Sequence, residues 1–330
     1  MATYKEIHGI KVRDYTTNPD NPIEGQLWYN TTDNVAKYQI PNTFSSWATG
    51  GTLNQARVQM GGAGTETAAL AFGGTTEPPN FALTEEYNGS TWTEVADLNT
   101  ARTSGGSSGK TNTAALYFGG EATLTVNETW NGTCWSEVAD LNSGRRLFAG
   151  AGTNTSALGF GGTDGTVRAY TESWNGTSWT EVADLNQQRR QLAGAGASNT
   201  SSLAFGGRNA PPDVQAVAET WNGTSWTEVG DLNTARNYLG GLGIQTSALA
   251  FGGLSPTATG KTEQWDGTSW TEVADLSTAR NQLGGAGTTT AGLGFGGGPS
   301  PTGATEHWNA GMSQGAWATS TAMNTSRRGI

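Results

Sequence analysis

At 330 residues the chain is long enough for two ordinary domains or for one large closed all-β domain. Its 49 glycines and 13 tryptophans, beside only 14% charged residues, suit strands and tight turns rather than helices. A formal charge of −10 argues against a phosphate-tracking surface, which needs clustered Lys and Arg, and the single cysteine, Cys134, excludes an intramolecular disulfide framework.

Met1 to Asp20 mixes Lys5, Glu6, Lys11, Arg13 and Asp14 with short apolar stretches, so it lacks the apolar core of a signal peptide. No apolar run reaches the roughly 18 residues that a membrane helix needs. The expectation is a soluble chain without a signal peptide, without membrane insertion and without nucleic acid as partner. Gly25 to Asn30, Val35 to Gln39 and Ser46 to Ala48 read as strands, and Glu6 to Arg13 can supply another. Trp47 precedes Arg57 much as Trp92 precedes Arg102.

From Arg57 onward one pattern recurs. Gly-Gly doublets close apolar stretches at Gly73-Gly74, Gly119-Gly120, Gly161-Gly162, Gly206-Gly207, Gly252-Gly253 and Gly296-Gly297, a period that suits a four-stranded propeller blade. After each doublet comes a Glu-x-aromatic unit ending in Tyr87, Trp130, Trp174, Trp221, Trp265 and Trp308. A second tryptophan follows: Trp92, Trp135, Trp179, Trp226, Trp270 and Trp317. Each copy then closes on an arginine, read as Arg102, Arg146, Arg190, Arg236, Arg280 and Arg328.

The third copy shows the strands. Ala149 to Gly152 is nearly free of side chains, as an innermost strand crowded around a common axis requires. Ser156 to Phe160, Tyr170 to Trp174 and Trp179 to Ala183 follow, and Asn175-Gly176 reads as a tight hairpin turn whose central residues both tolerate positive φ.

The doublet, the spaced aromatic pair and the closing arginine resemble the kelch family over residues 57–330, which implies a propeller scaffold rather than one chemistry. The expected fold is all-β, a kelch-like β-propeller of seven four-stranded blades, with residues 1–56 as a divergent N-terminal blade and 57–330 as six repeats. The alternative is six blades with residues 1–56 as a docking arm. Asp266-Gly267-Thr268-Ser269-Trp270 looks like the Asp-box of sialidase propellers, but the other copies carry Asn88, Asn131, Asn175 and Asn222 in that place. Pro22 to Tyr38, with Trp28-Tyr29-Asn30-Thr31-Thr32-Asp33-Asn34 at its turn, is similar to a hairpin module of tailed-phage virion proteins, typically tail fibres and their adaptors. That likeness implies a virion protein assembled in the host cytoplasm, joined to other virion proteins through residues 1–56 and homo-oligomeric in the particle.

Catalytic chemistry has little to draw on. His8 and His307 are the only histidines, too few for a histidine-based metal site, and His307 reads as a strand surface position. Cys134 sits in a turn and reads as an incidental thiol. The pairs Glu94/Asp97, Glu137/Asp140, Glu181/Asp184, Glu228/Asp231 and Glu272/Asp275 recur, whereas catalysis needs one asymmetric constellation, so they read as structural and as partners of the closing arginines. No cofactor or metal and no enzyme activity is expected.

The connection from Gly-Gly to Glu varies most between copies. If the strands run in order outward from the axis, this connection and the one carrying the arginine share a face opposite the uniform Asn-Gly turns. Irregular loops on a rigid scaffold are where binding concentrates, which nominates Phe81, Arg168, Arg208, Asp213 and Lys261. The leading expectation is a non-catalytic propeller on a phage tail or virion surface that meets a host glycan or protein receptor, or decorates the capsid. A cellular kelch-type interaction module is the alternative, and a sialidase-like carbohydrate-active enzyme is the third reading.

Overall fold

The glycine-rich strands foreseen at the axis converge around a channel, and each starts a four-stranded antiparallel meander running outward. The computed structural model describes residues 45–310, apart from 77, 211 and 212, together with residues 31–32 and the backbone of 13–15, 27–30 and 35–38. One compact unit spans Ser45–Ala310. It holds six four-stranded sheets, so this is an all-β propeller of six blades. Outside it, β1 (Arg13–Tyr15) pairs in parallel with β2 (Leu27–Asn30), and β2 pairs antiparallel with β3 (Val35–Tyr38), making a three-stranded sheet.

The expected seventh blade is absent because its third strand is used elsewhere. β4 (Ser46–Thr49) is the outermost strand of the sixth blade, after Gly284–Gly287, Ala291–Phe295 and Thr305–Asn309. Trp47 faces Trp308 in that sheet, so the strand from the N-terminal side fills the place that the sequence assigned to Trp317. Trp317 and Arg328 lie outside the described residues, as does most of the Glu6 to Arg13 segment read as a strand.

In the first blade β5 (Gly61–Gly64), β6 (Ala69–Phe72), β7 (Thr84–Tyr87) and β8 (Trp92–Val95) stand in that order, called a to d from the axis outward. Strand b is buried at every position because neighbouring blades cover both its faces, while strand d buries fully only its leading tryptophan. Phe72 packs edge-on to Trp135 of the next blade at 4.9 Å, and the cluster around them joins Leu70, Ala115, Tyr117 and Trp130. Strand a must stay small. A Cβ at Gly150 would lie 2.4 Å from the backbone oxygen of Ser107 in the adjacent blade.

The second tryptophan of a blade also ties it to its predecessor. Trp92 Nε1 donates to Thr305 Oγ1 at 3.0 Å, Trp135 to Thr84 at 2.9 Å, Trp226 to Thr171 at 3.1 Å and Trp47 to Thr262 at 3.0 Å. Trp179 and Trp270 have the same burial, but Asn127 and Ala218 stand where the hydroxyl should be, and neither Nε1 has a partner.

Buried Arg-Glu pairs clamp each blade. Arg57, Arg102, Arg145, Arg189, Arg236 and Arg280 are inaccessible and pair with Glu85, Glu128, Glu172, Glu219, Glu263 and Glu306, the Glu of each Glu-x-aromatic unit. The second carboxylate oxygen is also satisfied: Glu172 Oε2 accepts from the Asn142 backbone N–H at 2.8 Å and its side-chain amide at 2.9 Å. Two expectations change here. In the tandem arginines it is Arg145 and Arg189, not Arg146 and Arg190, that close their blades. The carboxylates of the Glu94/Asp97 pair and its counterparts are not the partners; Asp97, Asp184, Asp231 and Asp275 instead accept the N–H that opens strand c, at 3.1 to 3.2 Å.

The Asn-Gly turns differ from the two-residue hairpin foreseen. Only the glycine is left-handed, Gly176 with φ of 93° for example, and four residues link the strands. Asn175 Oδ1 accepts from the backbone N–H of Thr177 and Ser178, both at 2.9 Å, so the asparagine serves as an acceptor rather than as a positive-φ residue. Asp266 does the same, and hydrogen bonds, first from the Thr268 hydroxyl, hold its carboxyl down to about 2.

Candidate binding face

Because each blade is a meander, the b–c and d–a connections emerge on one face and the a–b and c–d turns on the other. The d–a connections bring six residues to the channel mouth: Gln59, Ser104, Leu147, Gln191, Tyr238 and Gln282. None is glycine, yet all are left-handed, with φ between 54° and 62°. Each costs about 1–2 kcal/mol in that conformation and must be held by its surroundings.

What holds them is a closed belt of backbone hydrogen bonds. Gln59 N–H donates to Gln282 O at 2.9 Å, Gln282 to Tyr238 at 2.8 Å, Tyr238 to Gln191 at 2.9 Å, Gln191 to Leu147 at 2.7 Å, Leu147 to Ser104 at 2.8 Å and Ser104 back to Gln59 at 3.0 Å. Each stands two positions after a buried arginine, so the clamp sets the belt. The repeat pattern hides this position because it carries four residue types in six copies, Gln in three of them. The belt encircles a cup of about 90 Å³ floored by Met60, Phe148, Leu192, Leu239 and Leu283.

Below the cup the channel encloses about 160 Å³ between the innermost strands. Lys110 is the only ionisable side chain lining it among the described residues. Its Nζ reaches across to Gly243 O in the opposite blade at 2.9 Å. Burial lowers its pKa to about 8.

All five residues nominated from sequence lie on b–c connections, hence on the belt's face, but spread over four blades, with Arg208 and Asp213 on one connection. Phe81 is half-buried and bonded through its backbone N–H to Gly74 O at 2.8 Å. Arg168 is held by Asp164 at 2.9 Å and stacks over Tyr170, and Lys261 meets Glu272 at 3.1 Å. Asp213 is exposed. Arg208 stands near the belt, where it, Arg190 and Tyr238 act on one another electrostatically. Arg190 and Tyr238 were not foreseen as site residues.

On the opposite side His307 is more than a strand surface position. Its Nδ1 lies 2.6 Å from Glu66 Oε1 and its Nε2 2.8 Å from the Tyr87 hydroxyl, across the junction of the last and first blades. Other junctions are bridged by Ser156 with Asn199 and by Ser201 with Gln245, so this is a junction contact with a different donor set. Cys134 is exposed. Among the described residues no three of His, Cys, Asp and Glu gather into a metal-holding group. Compared with known proteins, the chain matches no family model and no curated protein.

Proposed function

We propose that this propeller is a non-catalytic binding protein of a virion surface, presenting the face that carries the belt to a host-surface partner. The observation that carries the reading is the contrast between faces: Asn-Gly or Asp-Gly turns of one design on one side, and on the other b–c connections of differing sequence around a cup whose rim carries Gln in three blades and Ser, Leu or Tyr in the others. A repeated clamp supplies rigidity, and variation on a rigid frame is how propellers and other repeat scaffolds acquire partners. The virion context draws on the likeness of Pro22 to Tyr38 to tailed-phage modules, and β2 with β3 does form a hairpin there. Because residues 45–56 belong to the propeller unit or adjoin its first blade, attachment to other virion proteins falls to residues 1–44. Electron cryo-microscopy with mass spectrometry of purified particles tests this. The reading requires the chain at fixed stoichiometry with the belt's face outward; absence from particles, or that face buried against the shell, contradicts it.

A further inference from the structure

Arg190 and Arg208 exchange both backbone hydrogen bonds, each 2.9 Å, which sets them side by side. The same two-residue bridge joins Val58 to Thr75, Arg146 to Thr163, Asn237 to Leu254 and Asn281 to Gly298 in other blades. A blade therefore needs no charge at either position, and like charges set directly opposite destabilise a strand pair. Every other arginine with a described side chain is ion-paired, Arg146 with Glu121 included. Neither Arg190 nor Arg208 has a carboxylate or any side-chain hydrogen-bond acceptor among the described residues, and the Nε of each is buried without a partner. Asp213, five positions on, does not reach them.

The two guanidiniums repel each other, and burial together with Arg208 and then Arg146 lowers the pKa of Arg190. Such a pair is the arrangement that a bidentate oxyanion relieves. The chain's net charge of −10 disfavours a polyanion, which leaves a ligand with a single charge. Beside the arginines the rim offers the half-buried amides of Gln59 and Gln282 and the phenol of Tyr238 over an apolar floor, while Gln191 is buried with its Oε1 held by Asn237 at 2.8 Å. Amides and an aromatic ring suit the hydroxyls and C–H face of a sugar ring. The closed circular rim offers no groove or free sheet edge for an extended peptide.

We infer that Arg190 and Arg208 bind the carboxylate of an acidic sugar whose ring lies over the cup, with Tyr238 beside it. The inference rests on the reading of this face as the binding face and names its ligand class. The test is titration of the full chain with glucuronate, with glucose and inorganic sulfate as comparison probes, for the wild type, the double variant Arg190→Gln/Arg208→Gln and the control Thr155→Gln at an exposed a–b turn of the opposite face. The expected result is glucuronate binding weakened about tenfold or more in the double variant, unchanged in the control, and far stronger than glucose binding. The double variant should melt no lower than the wild type, because it loses a repulsion, so lost binding is not lost folding. Glucuronate binding no stronger than glucose binding, or equal binding by the double variant, overturns the site. Sulfate binding as tight as glucuronate overturns the sugar assignment. A block at the loop tips, Thr166→Trp/Thr257→Trp, separates the two claims. If glucuronate fails to bind but this block still abolishes adsorption of the chain to host cells, the arginine site falls and the binding face stands; if adsorption is indifferent to it, both fall.

Discussion

Trp47 lies directly across the sixth blade from Trp308, joining the start of the propeller to its end. The two rings are 5.4 Å apart, and Trp47 also meets Phe251 at 5.1 Å. A closed ring depends on this one strand, since every other blade is built from consecutive residues. Trp47→Ala should cost about 3–5 kcal/mol, as for any buried tryptophan. It should also make the segment after Thr49 susceptible to protease, whereas Trp179→Ala in a blade made of consecutive strands should not expose that segment. Urea unfolding and limited proteolysis of both variants check this.

The clamp is strongest where one partner is removed. Glu172→Ala leaves Arg145 buried and unpaired and should cost about 3–5 kcal/mol, while Glu181→Ala, at an exposed position on the same blade, should stay within about 0.5 kcal/mol. Equal losses in chemical denaturation would mean that the buried pair has no special weight.

Trp270 is the inverse case. Its indole N–H is buried with no acceptor, and Ala218 occupies the position that holds Thr84, Thr171, Thr262 and Thr305 in other blades. Ala218→Thr should supply the missing hydroxyl and raise stability by about 1 kcal/mol. Thermal melting of the single variant decides it, and a lower midpoint would show that the methyl group does not fit.

Lys110 gives the channel a pH dependence. Its folded pKa of about 8 lies below the 10.5 of an unfolded lysine. Between those values the unfolded chain binds more protons, so stability rises with pH across that window, and the penalty is fully present below pH 8. Lys110→Met should therefore be more stable than the wild type at pH 7, by about 1–2 kcal/mol after loss of the bond to Gly243, and the advantage should shrink by pH 10. Paired urea titrations at the two pH values measure it; an advantage independent of pH would mean that the ammonium is well solvated.

The repeat was legible because its doublets, tryptophans and Glu-x-aromatic units are constrained in every copy. Blade number was not, because Ser46 to Ala48 carries the signature of an outer strand whichever sheet it joins; only ring closure decides. The arginine phase was hidden by Arg145-Arg146 and Arg189-Arg190, where burial alone separates the clamp arginine from its more exposed neighbour. Once that phase is known the belt lies two positions on, yet its left-handed backbone at Gln59 or Tyr238 has no sequence signal, since glycine is not used there. The opposition of Arg190 and Arg208 arises only when the d–a and b–c connections fold together.

The central claim is that the belt's face does the binding. It is tested most directly by adsorption of the labelled full chain to host cells, comparing the wild type, Thr166→Trp/Thr257→Trp on that face and Thr155→Trp/Thr200→Trp at the exposed a–b turns opposite. The account predicts that the first pair abolishes adsorption and the second leaves it intact. Loss with the second pair alone, or with neither, would contradict it.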